Sequence, residues 1–136
     1  MGGINFLEEI TFKAIGYIKS RYESTDMMPK SSNESMDETA ELIIDRKYLE
    51  SMKSMKADEE YMLIFYFHKS DEYKQTVPFR GDGELLGLFS THAPNRPNPI
   101  GVSTIRIKEI NDNVITFYGV DMLNNTPVLD LKKIYK

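Results

Sequence analysis

Apolar positions along the chain fall into short runs separated by polar stretches, which is the pattern of a strand-rich protein. Residues 11–19, Thr-Phe-Lys-Ala-Ile-Gly-Tyr-Ile-Lys, are rich in β-branched and aromatic side chains and predict a strand. Residues 20–39 carry Ser24, Thr25, Pro29, Ser31, Ser32, Asn33 and Ser35 and predict a long polar loop; loops of that length are usually functional or disordered. Ala40–Ile44 predicts a second strand. In Arg46–Met55 the apolar residues Tyr48, Leu49, Met52 and Met55 lie at helical offsets, so one short amphipathic helix is expected, with Asp45 as its cap and its methionines in the core.

Tyr61–Phe67 is an unbroken apolar run of strand length, expected as a central strand buried on both faces. Ser70–Glu84 predicts a polar loop and Leu85–Thr91 another strand. Pro94, Pro97 and Pro99 then bar any regular helix or inner strand. Ile100–Ile110 and Val114–Val120 form the clearest hairpin, because Asn111-Asp112-Asn113 tolerates positive φ. Pro127–Leu131 predicts a last strand after Asn124-Asn125. Six or seven short strands with one helix and no βαβ alternation predict a small antiparallel β-barrel or a β-rich α+β domain.

A length of 136 residues suits one domain, expected over 11–136 behind an N-terminal extension, 1–10. The longest apolar run falls far short of the ~20 residues a spanning helix requires. The opening residues match neither a secretory signal nor an N-myristoylation pattern, since Phe6 stands where Ser or Thr is needed. Cysteine is absent, which excludes disulfides, thiolate metal sites and cysteine nucleophiles. With only His68 and His92, no metal site is expected. A cytoplasmic protein is the simplest expectation. The net charge of −4 is uneven: residues 1–60 hold 8 basic and 13 acidic groups, residues 61–136 hold 9 and 8. Any basic face for nucleic acid must therefore be local to the second half or completed by a partner chain.

The segment Gly81-Asp82-Gly83-Glu84-Leu85-Leu86-Gly87 is not a dinucleotide loop, because a strand rather than a helix follows it. His68 closes the long apolar run. It reads either as a hydrogen-bonded structural residue or, beside Phe67 and Lys69, as one edge of a polar ligand site. The stretch from Gly87 to Gly101 stands out: its prolines stiffen a loop that carries His92, Arg96 and Asn98, and so preorganise donors. Arg96 has the forked geometry for a carboxylate or phosphate. Asp121 and Asp130 sit at expected strand ends, as solvated surface acids or as ligands.

Three blocks carry a resemblance to the TsaA-like family, also called the TrmO or YaeB family. They are Phe67-His68-Lys69-Ser70, the run Gly87-x-Phe89-Ser90-Thr91-x-Ala93-Pro94-x-Arg96-Pro97-Asn98-Pro99-Ile100-Gly101, and Gly119-x-Asp121 followed by Thr126-Pro127-Val128-Leu129-Asp130-Leu131-Lys132. The opening Ile15-Gly16-Tyr17-Ile18-x-Ser20 also fits, and the likeness spans about residues 11–135. It implies a small β-barrel that binds S-adenosylmethionine, acts as a homodimer, and methylates N6 of threonylcarbamoyladenosine beside the tRNA anticodon. Cofactor contacts implied by the motifs fall on His68, Lys69, His92, Val102, Gly119, Val120 and Asp121, with Ser32 and Asn33 added by the polar loop. Arg96, Asn98 and Lys132 are implied to hold the substrate or organise the loop, and Asp130 is the candidate catalytic residue.

Three positions depart from the family pattern. His92 stands where arginine is usual, Asn124-Asn125 where Asp-Gly is usual, and Lys132-Lys133-Ile134-Tyr135 where Lys-Pro-Tyr is usual. The first matters most, since arginine is always cationic and forked while histidine is mostly neutral near pH 7. The chain is also expected to work without the C-terminal domain that helps longer members hold tRNA. The alternatives are a non-catalytic S-adenosylmethionine-binding module, or a methyltransferase acting on a small molecule or protein.

Overall fold

The computed structural model describes residues 7–27, 38–79 and 83–136. Among these residues the strands are β1 Gly16–Lys19, β2 Thr39–Ile44, β3 Glu60–Tyr66, β4 Thr76–Pro78, β5 Leu85–Gly87, β6 Ile100–Asn111, β7 Val114–Tyr118 and β8 Pro127–Lys133. The antiparallel order β1-β2-β7-β6-β3-β8 returns to β1 through a pairing of Gly16 with Val128, so this sheet closes into a barrel. β4 and β5 make a separate two-stranded hairpin.

Closure follows from period-2 alternation, which sends every second side chain into one shared core. Along β6, Gly101, Ser103, Ile105 and Ile107 point inward while Val102, Thr104, Arg106 and Lys108 are exposed. Leu42, Leu63, Ile115, Phe117 and Val128 fill the interior from the other strands. The β6–β7 turn puts Asp112 at φ 56, the left-handed conformation that Asp tolerates.

Several sequence expectations change. β3 is not buried on both faces: Tyr61, Leu63 and Phe65 are buried, while Met62 and Tyr66 are exposed on the outside of the barrel. A barrel of this size has one interior, so an apolar run can serve only one face of it. The helix at Arg46–Met52 is 3₁₀, with Asp45 accepting from the Lys47 amide at 3.1 Å, and Met52 and Met55 pack on the core. The strand expected over 85–91 stops at Gly87, and a 3₁₀ turn, Leu88–Ser90, follows. Part of the expected loop 70–84 is β4. The first strand starts at Gly16 rather than Thr11, β7 ends at Tyr118, and β8 runs on to Lys133. Half of the long polar loop, residues 28–37, lies outside the described residues, and Thr25–Met27 forms a 3₁₀ turn. No helix among the described residues is long and apolar enough to cross a membrane.

Candidate functional site

One rim of the barrel gathers the motif blocks. β3 leaves it through Phe67-His68-Lys69, β6 enters it through Pro99-Ile100-Gly101, and β7 leaves it through Gly119-Val120-Asp121. Gly101 is where two blocks lock together. A Cβ there would stand 2.5 Å from the Phe65 ring and 2.8 Å from Phe67, whose rings meet edge to face at 5.1 Å. The Phe67 amide also donates to the Pro99 carbonyl at 2.7 Å. This packing sets the direction in which His68 emerges.

Burial pushes the half-buried His68 imidazole below its ordinary pKa; the Lys69 charge adds to this, and a hydrogen bond with the Asn124 backbone opposes it. The Lys69 ammonium donates to the Glu23 carbonyl at 3.1 Å. Asn124 ties three segments together. Its side-chain oxygen accepts from the Ser20 amide at 3.1 Å and its side-chain nitrogen donates to the Glu23 carboxylate at 3.1 Å. Asn125 adopts φ 67, so it takes the left-handed conformation that the usual glycine would supply.

Across the rim, Gly119 at φ 95 turns the chain out of β7. The Ser103 hydroxyl then reaches both Asp121 oxygens, at 2.8 and 3.0 Å. Ser103 is buried on the inner face, so this carboxylate is held over the mouth of the barrel. Nearby, the buried Tyr22 hydroxyl donates to Glu38, which also pairs with Arg21.

The proline loop organises itself. One Arg96 nitrogen, Nη1, donates to the carbonyls of Thr91, Ala93 and Leu88 at 2.9, 3.2 and 3.4 Å. The Asp71 amide donates to the Asn95 side chain at 2.7 Å, tying the loop to the segment after Lys69. His92 and Asn98 are exposed on it.

Other motif residues stand elsewhere. Val102 points outward, away from its neighbour Ser103, and is 53% exposed. Val120 is a core residue. Asp130 faces the outside of β8 on the same rung as Ile64 and Val102, and pairs with Lys132 at 3.1 Å. Asp130 therefore lies on the outer face of the sheet, whereas Asp121 is held by Ser103 on the inner side. Ser32 and Asn33 lie outside the described residues. Sequence reasoning passed over Ser103, Tyr22, Glu38 and the side chain of Asn124. Of these, Ser103 alone had a visible signal: a hydroxyl at an inward position of an otherwise apolar row. Two cavities, of about 520 and 490 Å³, lie away from this rim, one beside Gly16 and Ile43 and the other beneath Tyr48, Met52 and Tyr61.

The fold and rim define a small β-barrel with a polar mouth built from three sequence-distant blocks. Residues 17–136 match the family model described as the tRNA-methyltransferase O N-terminal domain, and the chain belongs to that family. It is 31% identical over 123 residues to a probable S-adenosyl-L-methionine-binding protein of Pyrococcus abyssi, covering 90% of this chain and 67% of that one. It is 30% identical over 136 residues to the tRNA (adenine(37)-N6)-methyltransferase of Escherichia coli, covering 93% of this chain and 58% of that one. A crystal structure of TrmO superposes with a TM-score of 0.80 at 26% identity, covering 94% of this chain. This chain spans 58% of the length of that solved chain.

Proposed function

We propose that the protein is an S-adenosylmethionine-dependent methyltransferase acting on adenine N6 in the tRNA anticodon loop, with threonylcarbamoyladenosine as the modified base. What supports this reading is the rim itself: a Ser103-held carboxylate, an imidazole that burial pushes toward the neutral form and an ammonium stand on segments leaving the same end of the barrel, in a chain of this family.

The residues present fit the cofactor. Its sulfonium and ammonium call for an anion, which Asp121 supplies, with Glu38 close by on the same rim. Alternatively Asp121 accepts from a ribose hydroxyl; the cofactor's carboxylate calls for the Lys69 ammonium with His68 as a hydrogen-bonding group. When bound, the cofactor supplies an electrophilic methyl group. The protein's part is positioning and exclusion of water, which account for much of the barrier lowering in an in-line displacement. Ser103 holds Asp121 in one orientation, Asn124 fixes the rim segments, and Arg96 stiffens the loop that carries His92 and Asn98.

We take the working form to be a homodimer. The exposed Met62, Tyr66 and Val102, together with Ile64 and Ile100, form an apolar strip on the outside of β3 and β6 that suits a second copy. In this reading the protein works in the cytoplasm, where tRNA is found.

A second reading is a non-catalytic S-adenosylmethionine-binding module. His92 in the usual arginine position supports it, as do relatives named as binding proteins, such as that of Archaeoglobus fulgidus, 30% identical over 121 residues. Calorimetry with S-adenosylmethionine and transfer of a labelled methyl group to tRNA lacking the N6-methyl group separate the two. Binding with transfer supports the enzyme and binding without transfer supports the module. Absence of binding at millimolar cofactor defeats both.

A further inference from the structure

The proline loop presents one aromatic side chain, Phe89, to solvent. Phe89 is 82% exposed, yet it sits in the middle of a well-anchored 3₁₀ turn. On one side Leu88 is buried, and its amide donates to the Gln75 carbonyl at 2.9 Å. On the other, the Thr91 amide and hydroxyl donate to the Leu88 carbonyl at 3.1 and 2.8 Å. The Arg96 guanidinium lies 6.0 Å from the Phe89 ring centroid and is itself held by three loop carbonyls.

An isolated exposed phenylalanine is ordinary on a protein surface. This one is held on a rigid base, backed by a fixed cation, and joined to the cofactor rim through the Phe67–Pro99 hydrogen bond. A π-face presented this way suits a flat, electron-rich ring, and every nucleobase has one. A base that undergoes chemistry must leave its stack, and aromatic side chains replace the neighbours it loses. Resting on the methyltransferase reading, we propose that the Phe89 ring is the platform on which the acceptor nucleobase stacks while its exocyclic nitrogen faces the rim.

The test compares the full-length protein with Phe89→Ala, Phe89→Leu and Phe89→Trp. It follows methyl transfer to tRNA, cofactor affinity, oligomeric state, and the fluorescence of an anticodon stem-loop carrying 2-aminopurine at the base 3′ to the anticodon. Phe89→Ala is expected to lower kcat/KM for tRNA by about 10- to 100-fold, the worth of one base stacked on an aromatic ring. Cofactor affinity stays within about twofold and the oligomer is unchanged. Quenching of 2-aminopurine weakens, and Phe89→Trp restores both signals where Phe89→Leu does not. The proposal is overturned if Phe89→Ala methylates like the wild type, if leucine rescues as well as tryptophan, or if the alanine variant loses its cofactor or changes oligomeric state. Should the wild type quench 2-aminopurine through Phe89 yet methylate no tRNA, the platform stands and the methyltransferase reading falls. Should it methylate while quenching ignores Phe89, the platform alone falls.

Discussion

The two ends of the barrel are built by different means. At the closed end β6 and β7 are joined by the two residues Asp112 and Asn113, and the 3₁₀ helix Arg46–Met52 packs on the core beside them. Its polar contacts include the hydrogen bond from the Asn113 side chain to the Ile44 carbonyl at 2.8 Å and a set of largely exposed ion pairs: Arg46 with Asp112, Arg106 with Asp58, and Lys136 with Glu60. Pairs of that kind contribute little. At the open end longer segments are tied by hydrogen bonds between residues far apart in sequence, such as Ser20 to Asn124 and Lys69 to the Glu23 carbonyl. The closed end is held by apolar packing and short turns. The open end uses its polar groups to fix the positions of distant segments.

The sharpest way to break this contrast is to disturb the open end without touching its polar groups. Gly101→Ala forces a Cβ against Phe65 and Phe67, an overpacking that costs about 1–3 kcal/mol. Denaturant unfolding will show the loss, and cofactor affinity will fall with it because His68 is displaced. Asp121→Asn should do the opposite. Removing one charge-assisted contact lowers cofactor affinity by about 10- to 150-fold, measured by calorimetry, while the unfolding midpoint barely moves.

Titration distinguishes the ends by pH. At the closed end burial, then the nearby Glu59 carboxylate, push Tyr61 up to about 12. The fold therefore prefers the neutral phenol, and this stability is present below about pH 10 and lost as pH rises toward about 12. At the open end His68 is lowered, so the fold prefers the neutral imidazole. Its stability is present above about pH 6.5 and lost as pH falls through the folded value. Unfolding free energy measured across pH in Tyr61→Phe and His68→Gln should lose the alkaline and the acid inflection respectively. The smallest effect belongs to Arg46→Ala, which breaks an exposed pair with Asp112. It should change stability by no more than about 1 kcal/mol and leave cofactor binding untouched.

Much of the barrel was legible in the chain. The alternation in β6, the Asp112 turn and the cap at Asp45 are local patterns, and local patterns survive into the fold. The proline loop and the three motif blocks also stood out, because rigid prolines beside donors are unusual in plain surface turns. Other features were hidden. The run Tyr61–Phe67 could not reveal that only one of its faces is buried, since periodicity says nothing about what lies opposite. Asp121 and Asp130 looked alike as acids near strand ends. One is held at the mouth by Ser103 and the other is turned outward beside Lys132.

The amino-acid sequence by itself determined most of the strands, the β6–β7 turn and the family, because hydrophobic period, turn chemistry and motif spacing are properties of neighbouring residues. The tertiary structure alone decided which side of each strand faces inward and which carboxylate belongs to the rim. It also showed that Arg96 serves its own loop and that Asn124 joins three distant segments. Those outcomes depend on how the sheet closes, and closure is set by contacts between residues more than a hundred positions apart, such as Gly16 and Val128.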